Sequence, residues 1–257
     1  MRNFRIDRFL KLFAKYNREH YKEYLMSFMV LLGVLMGGAG VLVFISHVPL
    51  GNNMQISAFA IVLFLSGTLF TSNIFSELSS KQKAVAFLTL PASHLEKFII
   101  RWLYSYVFFP IMYVAGFYVV MLILSNLDLK GHGYFDLVNI FKLKEITYII
   151  FSGYTVLHAM ALFGAVYFSK AHFVKSAFVF FITVITLILV NRFAMELVTG
   201  RPLFSAIPFG PLNFEENKSN VSLHLNQGLM IKFAVLPLVV AVLLWIGAYL
   251  RFLEKEI

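Results

Sequence analysis

One titratable side chain stands well inside an apolar run of this sequence: His158, in the stretch TVLHAMALFG. An imidazole can ligate a metal, move a proton or hydrogen-bond across a helix interface, and its neighbours decide which. His132, His172 and His224 fall in connecting segments at irregular spacing, and none makes an H-E-x-x-H zinc pattern. Cysteine is absent, which removes thiolate nucleophiles, disulfides and Cys-based metal sites. The serines form no nucleophile elbow, and Glu215-Glu216 lies in an Asn- and Lys-rich stretch suited to water. No G-x-x-x-x-G-K-[ST] phosphate cradle occurs. The chain reads as a non-enzyme without catalytic residues, metal or cofactor of its own. A neutral His158 bonded to a facing helix is the plain expectation; contact with a substrate on a membrane pathway is the alternative.

The elements that must position these residues follow from composition. Of 257 residues, 60% are hydrophobic and 14% charged, with a mean hydropathy of +0.79. A soluble domain is about 25% charged, so this is a membrane protein. Crossing a hydrocarbon layer of about 30 Å takes about 20 apolar residues in a helix, and six segments meet that length or nearly so. They are 24–45, 56–75, 102–124, 146–169, 173–190 and 233–250, in one transmembrane domain covering 1–257. The fifth is short at Ser176 to Val190 unless Phe173 and a snorkelling Lys175 extend it. The fold class expected is an all-α membrane protein of six transmembrane helices. Charges recur through the first 23 residues, so the N-terminus lacks the apolar core of a cleaved signal peptide and is expected to be retained.

Cytoplasmic loops carry the excess of Lys and Arg. With the N-terminus inside, fifteen basic residues lie on the inner side and seven on the outer, which accounts for all 22. Both termini are therefore expected in the cytoplasm. The net charge of +9 serves this topology and draws the chain to anionic lipid, with no call for nucleic acid. In residues 1–23, Arg2, Arg5, Arg8, Lys11, Lys15, Arg18 and Lys22 recur every three or four positions, and Ile6, Phe9, Leu10, Phe13 and Tyr16 do so on another face. That pattern predicts an amphipathic helix lying in the membrane interface. Gly33 and Gly37 form a G-x-x-x-G step that admits a close neighbour, expected first within the same chain.

Two outer connections remain. Residues 125–145 mix polar and apolar residues with no clear chemistry. Residues 191–232 are apolar in patches and broken by Pro202, Pro208, Gly210 and Pro211, too long for a plain turn. Short re-entrant helices or a small folded cap would both fit.

On the inner side, residues 76–90 can form a short helix along the membrane surface. Pro91 stops it, because it lacks the N–H of a helix interior and pushes Leu90 out of helical geometry. Ser93 and Glu96 then form a capping box that starts the next helix. Glu77, Lys81, Lys83, Glu96, Lys97 and Arg101 decorate this joint and offer a surface to a cytosolic partner.

This layout, with KQKAVAFLTLPASHLEKFIIR as its most specific stretch, resembles the permease subunit of small bacterial ABC-2 type ATP-binding cassette transporters. The resemblance implies a location in the bacterial cytoplasmic (inner) membrane and an exporter built from two permease copies, identical or related. ATP would be bound and hydrolysed in a separately encoded ATPase subunit. Residues 76–90 would be the coupling helix, with Glu77, Lys81, Lys83, Phe87, Leu90 and Pro91 at the ATPase contact and Ser93 and Glu96 capping the helix behind it. Residues 191–232 would be re-entrant. Independently of the resemblance, His158 is the candidate pathway residue. The alternative is a membrane interaction or assembly protein that binds a cytosolic partner and transports nothing.

Overall fold

A computed structural model of the chain describes residues 4–46, 51–79, 81–128, 137–168, 171–200, 205–206, 212–216, 219–223 and 235–255. Six of its helices are long and apolar enough to cross a membrane, as a multi-pass membrane protein requires. In chain order they are α1 (Ile6–Ser46), α2 (Asn52–Asn73), the joined pair α4 (His94–Leu103) and α5 (Phe109–Asp128), α6 (Lys144–Tyr167), α7 (His172–Thr199) and α8 (Val235–Leu253). The short α3 (Lys81–Leu88) lies between α2 and α4, after a 3-10 turn at Ser76–Ser79. Residues near both chain ends share one apolar cluster, in which Tyr16 of α1 and Phe252 of α8 are buried. That end of the bundle is its terminal end.

α1 departs from the expected pair of elements. The amphipathic segment and the first span form one uninterrupted helix of 41 residues, about 60 Å at 1.5 Å per residue. Nothing in KEYLMSF breaks it, because good helix formers join the two halves. Its amphipathic end also does not rest on lipid alone: Phe9, Leu12, Phe13 and Tyr16 join the cluster containing Phe98 and Tyr104, while Ile6 and Leu10 are exposed. The glycines are a second correction. Among the described residues nothing lies within 4 Å of the Cβ position of Gly33 or Gly37, so their stripe is open rather than packed against another described helix.

Between α4 and α5, residues Tyr104–Phe108 form a π-helical turn. Pro110 explains it. Proline offers no N–H to the carbonyl of Tyr106 four residues back and its ring crowds that carbonyl, so the preceding turn widens and the Phe109 N–H donates to the Tyr104 carbonyl, five residues back.

The core of the bundle lies among α2, α5 and α6, where Phe59, Leu63, Tyr113, Phe117 and Tyr154 are buried. The Tyr113 hydroxyl donates to the Phe59 carbonyl at 2.8 Å. Gly67 permits the α2–α6 approach, since a Cβ there would stand 2.5 Å from Cε2 of Tyr154. That ring cannot withdraw freely, because its hydroxyl donates to the Ser105 carbonyl at 2.7 Å. Gly67→Ala is therefore expected to cost about 1–3 kcal/mol by overpacking, read as a lower thermal unfolding midpoint in detergent; an unchanged midpoint would mean that Tyr154 is not held there.

α7 has 28 residues and runs past Val190 through NRFAMELVT to Gly200, whose left-handed backbone (φ +64°) ends it. The fifth span is thus not short. Beyond it, β1 (Ser205–Ala206), β2 (Leu212–Glu216) and β3 (Ser219–Leu223) pair antiparallel in the order β1-β2-β3, with Glu216 opposite Ser219 at the hairpin end. The described part of 191–232 is thus helix and sheet, where the resemblance implied re-entrant helices. An open sheet leaves edge N–H and C=O groups unpaired, which hydrocarbon does not tolerate. Pro202, Pro208, Gly210, Pro211 and His224 lie outside the described residues, as does His132 in the other connection.

Candidate functional site

The joint at the terminal end begins with α3, which has eight residues and is followed by the break at Leu90–Ala92. Ser93 has extended backbone angles (φ −70°, ψ 153°) and caps α4. Its hydroxyl accepts from the Glu96 N–H at 3.2 Å, and its own N–H donates to Glu96 Oε2 at 2.9 Å. The Glu96 carboxylate also reaches α1. It accepts the Arg5 N–H at 2.9 Å and a two-pronged contact from Arg8, Nε to Oε2 and Nη2 to Oε1, both at 2.7 Å. Glu96 is fully buried and lies before the apolar run that starts at Trp102. The hydrogen bond from Arg8 leads the other donors in holding its pKa down to about 2, so this buried group is a carboxylate.

Five residues on, Arg101 gathers the surrounding elements. It is 3% exposed, donates to the Ile74 carbonyl beyond α2, and pairs with Glu77 at 2.5 Å. Its guanidinium stands 4.3 Å from the ring centre of Phe87 on α3, 5.0 Å from Tyr16 on α1 and 5.3 Å from Phe75. Glu77 continues the chain of contacts to His20 on α1 at 3.1 Å, and His20 reaches Glu23 at 3.0 Å. A buried guanidinium is stable only when paired and bonded, and here its planar face also lies against aromatic rings. The Lys97 ammonium, 2% exposed, stands 5.6 Å over the Phe87 ring, and burial lowers its pKa. From α8, Phe252 closes the site against Phe75, Phe87, Phe98 and His94, with ring centres 5.5–6.2 Å apart.

The expected contact residues divide between two faces. Glu77, Phe87 and Leu90 turn inward, Phe87 being 7% exposed. Pro91 is exposed, and with Gln82, Val85, Thr89 and Leu95 forms the outer face. Lys81 and Lys83 are carried in the first turn of α3. Arg5, just before α1, and Arg8, Tyr16 and His20 on it complete the site, the Arg8–Glu96 pair being 88 residues apart in sequence. The available signal was Arg101 itself, a charge at the edge of FIIRWLY.

His158 lies on α6 and is fully buried. The Trp245 indole N–H donates to Nδ1 at 3.1 Å, so Nδ1 is an acceptor and the proton belongs on Nε2. Nε2 then donates to Ser105 Oγ at 2.9 Å, which donates to the Arg101 carbonyl at 2.9 Å. The π turn contributes here: the Phe109 N–H has passed to Tyr104, leaving the Ser105 carbonyl to receive Tyr154. Nearby, Tyr106 and Thr155 share a bond of 3.0 Å. This network ties α4, α6 and α8 together a turn above Arg101, with both ring nitrogens of His158 occupied. His158→Ala is expected to cost about 2–4 kcal/mol through the cavity and the two orphaned partners, measured as a drop in unfolding midpoint. A drop no larger than that of an exposed Val239→Ala control would show the network to be idle.

Compared with known proteins, the chain matches no family model, no curated protein and no solved structure.

Proposed function

We propose that this chain is the permease subunit of an ABC-2 type exporter, seated in a bacterial inner membrane with both termini in the cytoplasm. The observation that carries the reading is the construction of the joint. α3 presents an exposed outer face, while its inner face is tied by Phe87 and Arg101 to α1, the end of α2, α4 and α8. A push on that outer face would move four helices together, which is what a separate ATPase needs from its membrane partner. No Asp or Glu lies in the apolar stretches 24–45, 56–75, 102–124, 146–169, 173–190 and 233–250, which supports an external energy source, because ion-coupled carriers place such groups inside the membrane. The open Gly33–Gly37 stripe suits a second permease copy. The β1–β3 sheet suits an outer cap.

The test is purification of the tagged chain from its host in mild detergent, with identification of co-purifying proteins and an ATP hydrolysis assay. A stoichiometric ATPase, lost when Ser79 to Leu88 is scrambled while the chain still inserts, is the expected result. A homo-oligomer without an ATPase would overturn the reading in favour of a membrane interaction protein.

A further inference from the structure

Away from the joint, α2, α6 and α7 converge without filling the space between them. Phe64 and Ser72 on α2, Met160 on α6, and Ser176, Ala177 and Phe180 on α7 face it. The crevice they line has a volume of about 210 Å³. An apolar protein cavity of ~150 Å³ stays dry and takes up an apolar guest. Water is therefore a poor filler for this one.

One of its hydroxyls stands apart from the others on α2. Ser66, Thr68 and Thr71 each return their hydroxyls to carbonyls of the preceding turn, at 2.5 Å, 2.7 Å and 2.7 Å. Ser72 does not. Its residue is 1% exposed and its Oγ has no hydrogen-bond partner among the described residues. Leaving a buried hydroxyl without a partner is costly, so this one is poised for an acceptor supplied from outside the chain. Ser72 sits one residue before the end of α2 on the terminal side, and Phe64 lies about 12 Å deeper at 1.5 Å per residue. The polar point is thus near the interface and the apolar length runs toward the bilayer centre. Exposed Lys175 precedes Ser176 at the interfacial end of the α7 wall.

We propose that this crevice binds one acyl chain of a phospholipid from the leaflet on the terminal side, with the chain along Phe64, Met160 and Phe180 and the ester carbonyl accepting from Ser72. Phospholipid is present on that side of any membrane, and its order of polar and apolar parts matches the order in the crevice. This inference stands apart from the transport reading and holds for a non-transporting chain as well.

The experiment reconstitutes the full chain in vesicles of phosphatidylglycerol and phosphatidylcholine doped with phospholipid bearing a photoactivatable diazirine in one acyl chain. Labelled residues are mapped by mass spectrometry, and the exposed Val239, Val242 and Leu243 of α8 report ordinary lipid contact. Labelling concentrated on 157–161 and 173–181 is expected, falling about tenfold in Ala177→Phe, which fills the crevice, and about threefold to tenfold in Ser72→Ala, which removes the donor. Labelling of α8 should not change in either variant. Equal labelling of crevice and α8 face would overturn the proposal. So would crevice labelling that Ser72→Ala leaves intact, since the site would then be an unspecific apolar gap. Should Ala177→Phe fail to insert, the milder Ser72→Ala decides.

Discussion

Arg101→Ala is expected to lower the stability of the detergent-solubilised protein by about 3–5 kcal/mol, the usual cost of removing one member of a buried ion pair. The partners left behind are the Ile74 carbonyl and the Glu77 carboxylate, and three rings lose the plane they pack on. Arg101→Lys separates charge from shape. A lysine keeps the positive charge but cannot bond Ile74 and Glu77 as a fork while lying flat on Phe87, so it should recover less than half of the loss. A lysine variant as stable as the parent would show that charge alone matters. Under the exporter reading, both variants should also lower ATPase co-purification, because α3 would lose its attachment to α4.

The second large effect is expected at Glu96. Glu96→Ala removes the acceptor used by Arg8, Arg5 and Ser93 together, and about 3 kcal/mol is expected from the broken buried pair plus the lost cap. Glu96→Gln keeps a side chain able to complete the capping box but removes the charge opposite Arg8. The pH dependence identifies the charge term. The native carboxyl has its pKa lowered from an ordinary 4.5 to about 2. A depressed carboxylate contributes stability fully above its unfolded value, and loses it as pH falls through its folded value. The gap between parent and Glu96→Gln should therefore be constant above about pH 5 and shrink between about pH 4.5 and pH 2. A gap that opens or closes between pH 5 and 8 would place the effect on another group.

Much of this was legible in the sequence, and the failures have physical causes. Apolar length found six membrane helices because the bilayer imposes a length that composition cannot hide. The box at Ser93 and Glu96 was legible because caps are local. A membrane ruler is blind to helix that continues into polar sequence. It stopped the fifth span at Val190, whereas NRFAMELVT remains helical, with Arg192 and Glu196 bonded at 3.0 Å four residues apart. It likewise parted residues 1–23 from the first span, although nothing between them breaks a helix. The second use of Glu96 was out of reach, because its partner Arg8 lies 88 positions earlier. Pro110 was different: a proline inside the third span is a local signal for a disturbed turn, and it stands beside the residues that bond His158.

The widened turn at Tyr104–Phe108 also acts as a phase shift. An α-helix advances about 100° per residue, so one extra residue in a turn rotates everything on one side of it by that angle relative to a regular helix. α4 turns Glu96 and Arg101 toward α1 and the joint, while α5 turns Tyr113 and Phe117 into the core beside α2. Deleting one residue from the turn together with Pro110→Ala would restore a regular helix, keep every cap and charge in the sequence, and aim α4 about 100° away from Arg8. Registration of the charged end thus depends on a residue count within the membrane, and a shift of one position there would undock a site more than a turn away.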